Sequence, residues 1–442
     1  MSTAATTAPA PAPAASRKPS FIIPWSEVVT TLAAFVLAFL IGAILMVVSD
    51  PDVAGKWAYF FSRPSDALGA SWDKVSGAYG ALLSGSVGSW KAITETTAAA
   101  APLISAGLGM ALAFRAGLFN IGAQGQAVWG AILAAYIGFS VDGLPLAVHL
   151  PLAVLCGVLG GAIWGGFAGW LRAATGAHEV IVTIMLNYVA TLTLAWLLTT
   201  NAFLRPGRQD PIAPEVKFSA TFPRLEGGQL HLGFLLALLA AVAVWWLMER
   251  STVGFRIKAV GANPDAAATA GMSVARTTVV AMTLSGALAG LAGVQAALGP
   301  NELGLPTPLS AGLVGTIGFD AITVALLGRS KPLGTVLAGL LFGAMHAGGL
   351  AMQSQADTPL TLTTVLQALI VMFVAAPMLV RTLVPFLKAR KARPAALGVG
   401  GDAVAVQLVA EPAVAEDRAD ASAAVPNRSL AQPPADEKGG RA

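Results

Sequence analysis

Ten apolar stretches dominate this chain, and each is long enough to cross a hydrocarbon layer of roughly 30 Å as a helix. Hydrophobic residues make up 55% of the 442 residues and charged residues 11%, with a mean hydropathy of +0.70. A soluble protein of this length could not bury so much apolar surface. The sequence therefore predicts an all-α, polytopic membrane protein with about ten transmembrane helices. The predicted spans are 27–48, 98–114, 117–141, 146–171, 180–199, 232–247, 277–298, 309–327, 333–352 and 360–379.

The distribution of positive charge predicts how these spans are oriented. When the N-terminus is placed inside, every inner segment carries Lys or Arg. The large outer segments 50–95 and 201–229 carry nearly equal positive and negative charge. Within the first of them, a short re-entrant or interfacial piece at 79–90 is a further candidate. Both termini are therefore predicted to be cytoplasmic. The inner basic residues are Arg17, Lys18, Arg115, Arg172, Arg250, Arg256, Lys258, Arg276, Arg329, Lys331 and Arg381.

The two ends of the chain differ in composition from its membrane domain, which is predicted at 25–386. Residues 1–24 are rich in Ala and Pro and are predicted to be a disordered cytoplasmic tail without the layout of a signal peptide. A basic cluster that begins at 387 suits the anionic cytoplasmic leaflet. The mildly acidic remainder to 442 is predicted to be unfolded. The single cysteine, Cys156, cannot form an intrachain disulfide.

A run of polar residues interrupts the apolar pattern at 114–126, FRAGLFNIGAQGQ. Lipid penalises polar side chains, so a membrane sequence that keeps them usually uses them. As one helix, the uncharged segment 116–141 would be about 39 Å long at 1.5 Å per residue, which predicts that its polar part lies in the inner half of the membrane or in a broken helix. Two interpretations remain, a substrate path or polar packing between helices. The residues concerned are Phe119, Asn120, Gln124 and Gln126.

Two other spans carry polar residues. Glu179, Thr183 and Asn187 recur every fourth residue and therefore share one helix face. Thr183 and Asn187 are predicted to line the path or to bond a neighbouring helix, whereas Glu179 lies near the cytoplasmic end and favours a helix start. Asp320 is the only acid well inside a span. It is predicted to cap a helix at a break or to accept a hydrogen bond from substrate. A proton relay ranks lower, because no histidine or second carboxylate accompanies it.

The longest inner loop, 249–276, contains a short helix with clear end signals. Asn263 suits the N-cap, Pro264 the first turn and Asp265 the positive helix start. Alanines follow, and Gly271 suits the left-handed position at the end. A helix of about two turns is not stable alone in water, so the loop is either a docking element for another protein or an ordinary capped connector.

Four blocks of sequence resemble one family in the same order. Asp265-Ala266-Ala267-x-x-x-Gly271 is similar to the start of the loop by which permeases of ABC importers contact their ATPase, although the later half of that motif is absent. The run 114–126, the segment GAHEVIVTIMLNY at 176–188 and the segment GFDAITVALLG at 318–328 closely resemble nucleoside (purine) uptake permeases. The resemblance covers about 25–384 and extends to sugar and branched-chain amino acid permeases.

This resemblance implies a permease bundle in a bacterial cytoplasmic membrane that pairs with other subunits. The expected partners are an ABC ATPase, a second homologous permease in a heterodimer and an extracellular lipid-anchored binding protein. The chain has no phosphate-binding loop of its own, so ATP would be used by the ATPase and no cofactor by this chain. The residues implied in ATPase coupling are Gly261, Asn263, Pro264, Asp265, Ala266, Ala267 and Gly271.

Other functions compete with nucleoside import to different degrees. A permease for a simple sugar such as ribose is the nearest alternative. A secondary transporter driven by protons through Asp320 is a more distant one. An enzyme ranks last, because the sequence contains no paired acids, no activated nucleophile and no histidines with metal-ligand spacing. Aromatic residues are not interleaved with Lys and Arg, so no nucleic-acid partner is expected.

Overall fold

The computed structural model describes residues 25–225, 228–301 and 304–383, and no β-strand forms within these ranges. The all-α prediction is therefore confirmed for this part of the chain, while the tails predicted at 1–24 and 387–442 lie outside it. The helices are α1 Trp25–Ser49, α2 Pro51–Trp57, α3 Pro64–Val87, α4 Trp90–Arg115, α5 Ala123–Ser140, α6 Leu146–Thr175, α7 Glu179–Leu197, the 3₁₀ turn Phe218–Ala220, α8 Leu232–Arg250, α9 Thr252–Ala262, α10 Pro264–Thr269, α11 Val274–Leu298, α12 Ile317–Leu327, α13 Pro332–Ala356, α14 Leu360–Ala375 and α15 Pro377–Leu383.

Among the described residues, seven helices are long and apolar enough to cross a membrane, namely α1, α4, α6, α7, α8, α11 and α13. The other predicted spans correspond to shorter helices. These are α5 with 18 residues, whose first turns contain two glutamines, and the apolar helices α12 and α14 with 11 and 16 residues. The membrane architecture is thus confirmed, and the number of ten crossings stays a prediction.

Helices α4, α11 and α13 form the centre of the bundle, whereas α1, α7 and α8 lie at its periphery. Glycines allow the close crossing of α6 and α11. A Cβ on Gly161 of α6 would lie 2.3 Å from the carbonyl oxygen of Gly286 of α11, and one on Gly286 would lie equally close to that of Gly161. Inside a lipid bilayer the hydrophobic effect does not drive helices to associate, because lipid tails are also apolar. Close backbone packing of this kind therefore holds the helices together.

The segment 50–95 differs from the predicted outer loop. It forms α2, the 24-residue helix α3 and the beginning of α4. Helix α3 runs back along α13, because Lys74 reaches the carbonyl oxygen of Ala356 at 3.0 Å while a Cβ on Gly85 would meet Ala351. Its buried face consists mainly of alanines. The many Gly, Ser and Ala residues gave this helix too little hydropathy to be recognised in the sequence.

Two ends of the bundle can be defined by their elements. The α10 end contains the C-terminal ends of α4, α6 and α8 and the N-terminal ends of α7, α11 and α13. The opposite end contains α2, the 3₁₀ turn at 218–220 and the beginnings of α6 and α8.

Candidate functional site

The polar run of 114–126 is a break between two helices at the α10 end. Helix α4 ends at Arg115, and Gly117 takes a left-handed φ of 71°. The N–H of Leu118 bonds the carbonyl of Ala113 at 3.0 Å, and that of Gly117 bonds Phe114 at 3.1 Å, which together close the helix end. Helix α5 begins only at Ala123. The predicted span 117–141 therefore begins with a non-helical segment, 117–122, and its helix starts six residues later than predicted.

Asn120 lies fully buried at the centre of this break. Its amide nitrogen donates to Oε1 of Gln126 at 3.0 Å and to Oγ of Ser285 at 2.9 Å. Its amide oxygen accepts from the N–H of Gly122 at 3.0 Å and from Nε2 of Gln126 at 3.2 Å. Ser285 in turn donates to the carbonyl of Gly109 at 2.8 Å. Both amide atoms of Asn120 are thus fully bonded inside the protein.

Gln124 and Asn187 attach the break to two further helices. Nε2 of Gln124 donates to the carbonyl of Gly315 at 2.7 Å, and its Oε1 accepts from the N–H of Gly318 at 2.8 Å, which joins α5 to the beginning of α12. Oδ1 of Asn187 accepts from the N–H of Gly125 at 2.8 Å, and its Nδ2 donates to the carbonyl of Ile121 at 2.9 Å. We call these residues the amide cluster; its members are Asn120, Gln124, Gln126, Asn187 and Ser285.

The hydrogen bonds of the amide cluster satisfy backbone groups that a broken helix leaves unpaired. Such groups are costly inside a membrane, and the cluster supplies partners for N–H or C=O groups of Ile121, Gly122, Gly125, Gly315 and Gly318. This geometry favours polar packing as the role of the amides. Their contact with substrate is tested by no observation and stays a prediction.

The remaining predicted path residues lie around the same break. Thr183 is buried and donates to the carbonyl of Glu179 at 2.7 Å within its own helix, and Glu179 itself pairs with Arg172. Phe119 is 40% exposed, and its ring lies 5.4 Å from that of Phe114. Asp320 is half-buried in the first turn of α12, where it accepts from the hydroxyl of Thr316 at 2.9 Å.

The short helix in the inner loop has the ends that the sequence predicted. Oδ1 of Asn263 accepts from the N–H groups of Asp265 and Ala266, both at 3.0 Å, Pro264 is the first helical residue, and Gly271 has a φ of 79°. Of the six residues in α10, only Ala267 is buried. The helix therefore presents nearly its whole surface for contact with another molecule, and its role in coupling stays a prediction.

The end of α9, which leads into α10, packs directly against the break. Gly261, two residues before its N-cap, packs so closely that a Cβ there would lie 2.2 Å from the carbonyl oxygen of Arg115. A cavity of about 570 Å³ adjoins this contact and is lined by Gly117, Arg172 and Pro264 among others. The segment that leads into α10 is therefore in direct contact with the end of α4.

A comparison with known protein families identifies the family of this chain. Residues 92–375 match the family described as "Branched-chain amino acid transport system / permease component". The chain belongs to this permease family. It is 35% identical to the guanosine ABC transporter permease protein NupP of Bacillus subtilis over 83% of this chain and 98% of that protein.

Two further relatives are a nucleoside permease and a sugar permease. The nucleoside ABC transporter permease protein NupB of Lactococcus lactis is 33% identical over 83% of this chain and 95% of its own length. The glucose ABC transporter permease protein TsgB13 of Haloferax volcanii is 34% identical over 67% of this chain and 79% of its own length. No solved structure matches the chain. The permease is a transport component, and ABC transporter permeases work with further subunits.

Proposed function

We propose that this chain is the membrane-spanning permease subunit of an ATP-driven ABC importer that carries nucleosides, purine nucleosides in particular, across a bacterial cytoplasmic membrane. The observation that carries the proposal is the similarity to a guanosine permease over nearly the full length of that protein. The sequence blocks at 114–126, 176–188 and 318–328 support the same substrate class. ATP is hydrolysed by a separate subunit, and this chain provides the path.

The charges of the two ends support an orientation with α10 in the cytoplasm. Among the side chains that the structure describes, the α10 end carries eight basic and three acidic residues, and the opposite end eight basic and nine acidic residues. Cytoplasmic segments are enriched in Lys and Arg. With α5, α12 and α14 counted as crossings, ten spans result and both termini are cytoplasmic.

In this orientation α10 fits the role of the element that docks on the ATPase. Its capped start at Asn263, its exposed surface and its link to the break through Gly261 support that role. ATP-driven motion of α10 would shift the end of α4 and open the path alternately to each side. Phe119 and Asp320, which keep exposed surface at the break, would contact the substrate, while the amide cluster and Thr183 shape the path. A second permease and an extracellular lipid-anchored binding protein complete the transporter.

Uptake measurements test this function. The chain would be expressed with the ATPase, second permease and binding protein of its own organism in a strain that lacks nucleoside uptake. We expect accumulation of labelled guanosine, loss of uptake when the phosphate-loop lysine of the ATPase is replaced, and insensitivity to an uncoupler. Uptake that an uncoupler abolishes and the ATPase lesion leaves intact would instead support proton coupling through Asp320.

A sugar permease is the second candidate, because the glucose permease TsgB13 is 34% identical over 67% of this chain. The same strain distinguishes the two functions. Labelled ribose and glucose would be taken up if the chain is a sugar permease, and guanosine would not compete. The proposed function predicts the reverse, with excess guanosine abolishing uptake of labelled guanosine and excess ribose leaving it unchanged.

A further inference from the structure

A second group of polar side chains lines a cavity of about 260 Å³ at the end opposite α10. The cavity lies between α4, α11 and α13, and the segments just before α8 and just after α11 complete its wall. None of its polar residues belongs to the amide cluster. We call it the polar cavity; its polar residues are Glu95, Gln229, His231, Gln295, Asn301, Thr307 and His346.

Gln295 is the most informative residue of the polar cavity. Its side chain is only 3% exposed, although it belongs to α11 in the centre of the bundle. Nε2 donates to the carbonyl of Gly233 at 2.8 Å, but Oε1 is buried without a hydrogen-bond partner among the described residues. Because an unpaired buried oxygen is unfavourable, an acceptor held in this way points to a ligand that donates a hydrogen bond.

His231 provides a donor beside this acceptor. Its ring is 3% exposed, stacks on Phe222 with ring centroids 5.6 Å apart, and accepts at Nδ1 from the N–H of Gly233 at 3.1 Å. Burial, and secondly the charge of Arg224, lower the pKa of His231 to about 4. The ring is therefore neutral near pH 7, and since Nδ1 is the acceptor, the proton is on Nε2.

Gly233 thus fixes both groups at once. Its N–H holds the ring of His231, and its carbonyl holds the amide of Gln295. Nε2 of His231 lies near the cavity wall, since a Cβ on the wall residue Gly299 would be 3.6 Å from it. The wall therefore offers one fixed acceptor and one fixed donor. The lactam edge of a purine base, a ring N–H next to a carbonyl, complements this pair.

The rest of the polar cavity suits the same kind of ligand. Ala98, Ala99 and Pro102 of α4 and Leu350 of α13 supply apolar surface for a ring. Glu95, whose side chain is 25% exposed and lies 3.7 Å from Lys91, adds a carboxylate acceptor for an amino or hydroxyl group. Polar groups that converge on an apolar wall are typical of sites that bind and orient small molecules.

The polar cavity also continues toward the break. His346 belongs to the cavity and is exposed, although it lies well inside α13. It is within electrostatic reach of Asp320 in the first turn of α12. Gly318 of the same turn bonds to Gln124 of the amide cluster. Polar groups therefore extend from the cavity to the place where α5 and α12 begin, which is the direction that an imported molecule would take.

We propose that the polar cavity binds a nucleoside on its way into the permease, with Oε1 of Gln295 accepting a hydrogen bond from the base and Nε2 of His231 donating one to it. This inference rests on the proposed function and adds to it a further site of substrate contact, at which the base is recognised. It assigns recognition to residues distant in sequence from the run at 114–126.

The test compares two substrates in the complete transporter. Inosine has the lactam edge, whereas the unsubstituted purine ribonucleoside lacks both the ring N–H and the carbonyl. In the Gln295→Leu variant we expect kcat/KM for inosine uptake to fall about tenfold and that for the unsubstituted nucleoside to change less than about twofold. A merely structural role of Gln295 would lower both values by the same factor, and that result would overturn the inference.

Gln353→Leu is the matched control, since Gln353 is exposed near the end of α13 and does not line the polar cavity. It should leave both substrates at wild-type rates. A wild-type transporter that takes up neither nucleoside would reject the proposed function itself, and with it this inference. Uptake of both nucleosides that Gln295→Leu leaves unchanged would reject the inference alone.

A labelling experiment covers the case in which Gln295→Leu does not reach the membrane. Ala99 lines the polar cavity and is half-buried, so Ala99→Cys in a Cys156→Ser background places a single thiol there. We expect a charged, membrane-impermeant thiol reagent added outside to label it, and inosine to slow labelling several-fold. Labelling at the same rate with and without inosine would overturn the inference.

Discussion

The amide cluster and the polar cavity both bury glutamines between apolar helices, but their hydrogen bonds differ. In the amide cluster, both amide atoms of Asn120 and of Gln124 are bonded within the chain. In the polar cavity, Gln295 is bonded at its nitrogen and unpaired at its oxygen. Buried polarity in this permease therefore has two uses. Saturated amides hold the segment between α4 and α5 in place, and the unsaturated one is the proposed contact for a substrate.

The largest effect on stability is expected for Asn120→Leu. The substitution leaves both amide atoms of Gln126 and the N–H of Gly122 unpaired in the interior. We expect a loss of about 3 kcal/mol in the free energy of unfolding, seen as a lower melting temperature of the purified complex. Uptake of all nucleosides should fall together. Normal melting with an altered substrate preference would mean that Asn120 contacts substrate.

A somewhat smaller loss is expected for Gln124→Leu, which breaks the two bonds between α5 and the beginning of α12. We expect the free energy of unfolding to fall by about 2 kcal/mol, measured in the same melting assay. The control is Gln353→Leu, which makes the same chemical change at an exposed position of α13 and should not shift the melting temperature. Equal melting temperatures of the two variants would contradict the structural role of the amide cluster.

The pH dependence of stability should distinguish the two regions, since the polar cavity contains His231 and His346 and the amide cluster contains no histidine. The pKa of His231 falls from 6.5 to about 4 on folding, mainly because the ring is buried. Its contribution is therefore fully present above pH 6.5 and is lost as the pH falls toward 4. Between pH 7 and 5.5 we expect wild type to lose about 1 kcal/mol relative to His231→Gln. Melting curves of both proteins at the two pH values check this, and identical losses would show that His231 titrates normally.

The smallest change in stability is expected for Gln295→Leu. It removes one hydrogen bond to Gly233 together with an unpaired buried oxygen, and these effects oppose each other. We expect the free energy of unfolding to stay within about 0.5 kcal/mol of the wild-type value. A loss as large as that of Asn120→Leu would place Gln295 among the structural amides and remove the distinction between the two regions.

Local signals explain what could be predicted from the sequence. The ends of α10 follow from Asn263, Pro264 and Gly271, because caps act within a few residues. The break after Arg115 could be anticipated from the length and polarity of 116–141. The partners of the break could not. Ser285 lies 165 residues from Asn120, and without its position the two interpretations of the amides had equal support.

The polar cavity was missed for a related reason. Gln295 stands alone in an apolar run, and His231 precedes a span without any motif around it. A glutamine inside a predicted span is a signal that could have been followed. Only the fold brings the two residues to the same glycine, so their joint function could not be read from spacing. Helix α3 was missed because its small residues resemble a loop in composition.

The central claim is that the base of the substrate is recognised in the polar cavity and that the amide cluster gives structural support. The most direct test is the ratio of kcat/KM for inosine to that for the unsubstituted purine ribonucleoside in two variants, Gln295→Leu and Ser285→Ala. Ser285→Ala removes one bond from Asn120 and one to the carbonyl of Gly109, and it is mild enough to leave measurable uptake. We predict that the ratio falls about tenfold in Gln295→Leu and stays at the wild-type value in Ser285→Ala. A ratio that changes in Ser285→Ala and not in Gln295→Leu would contradict the account.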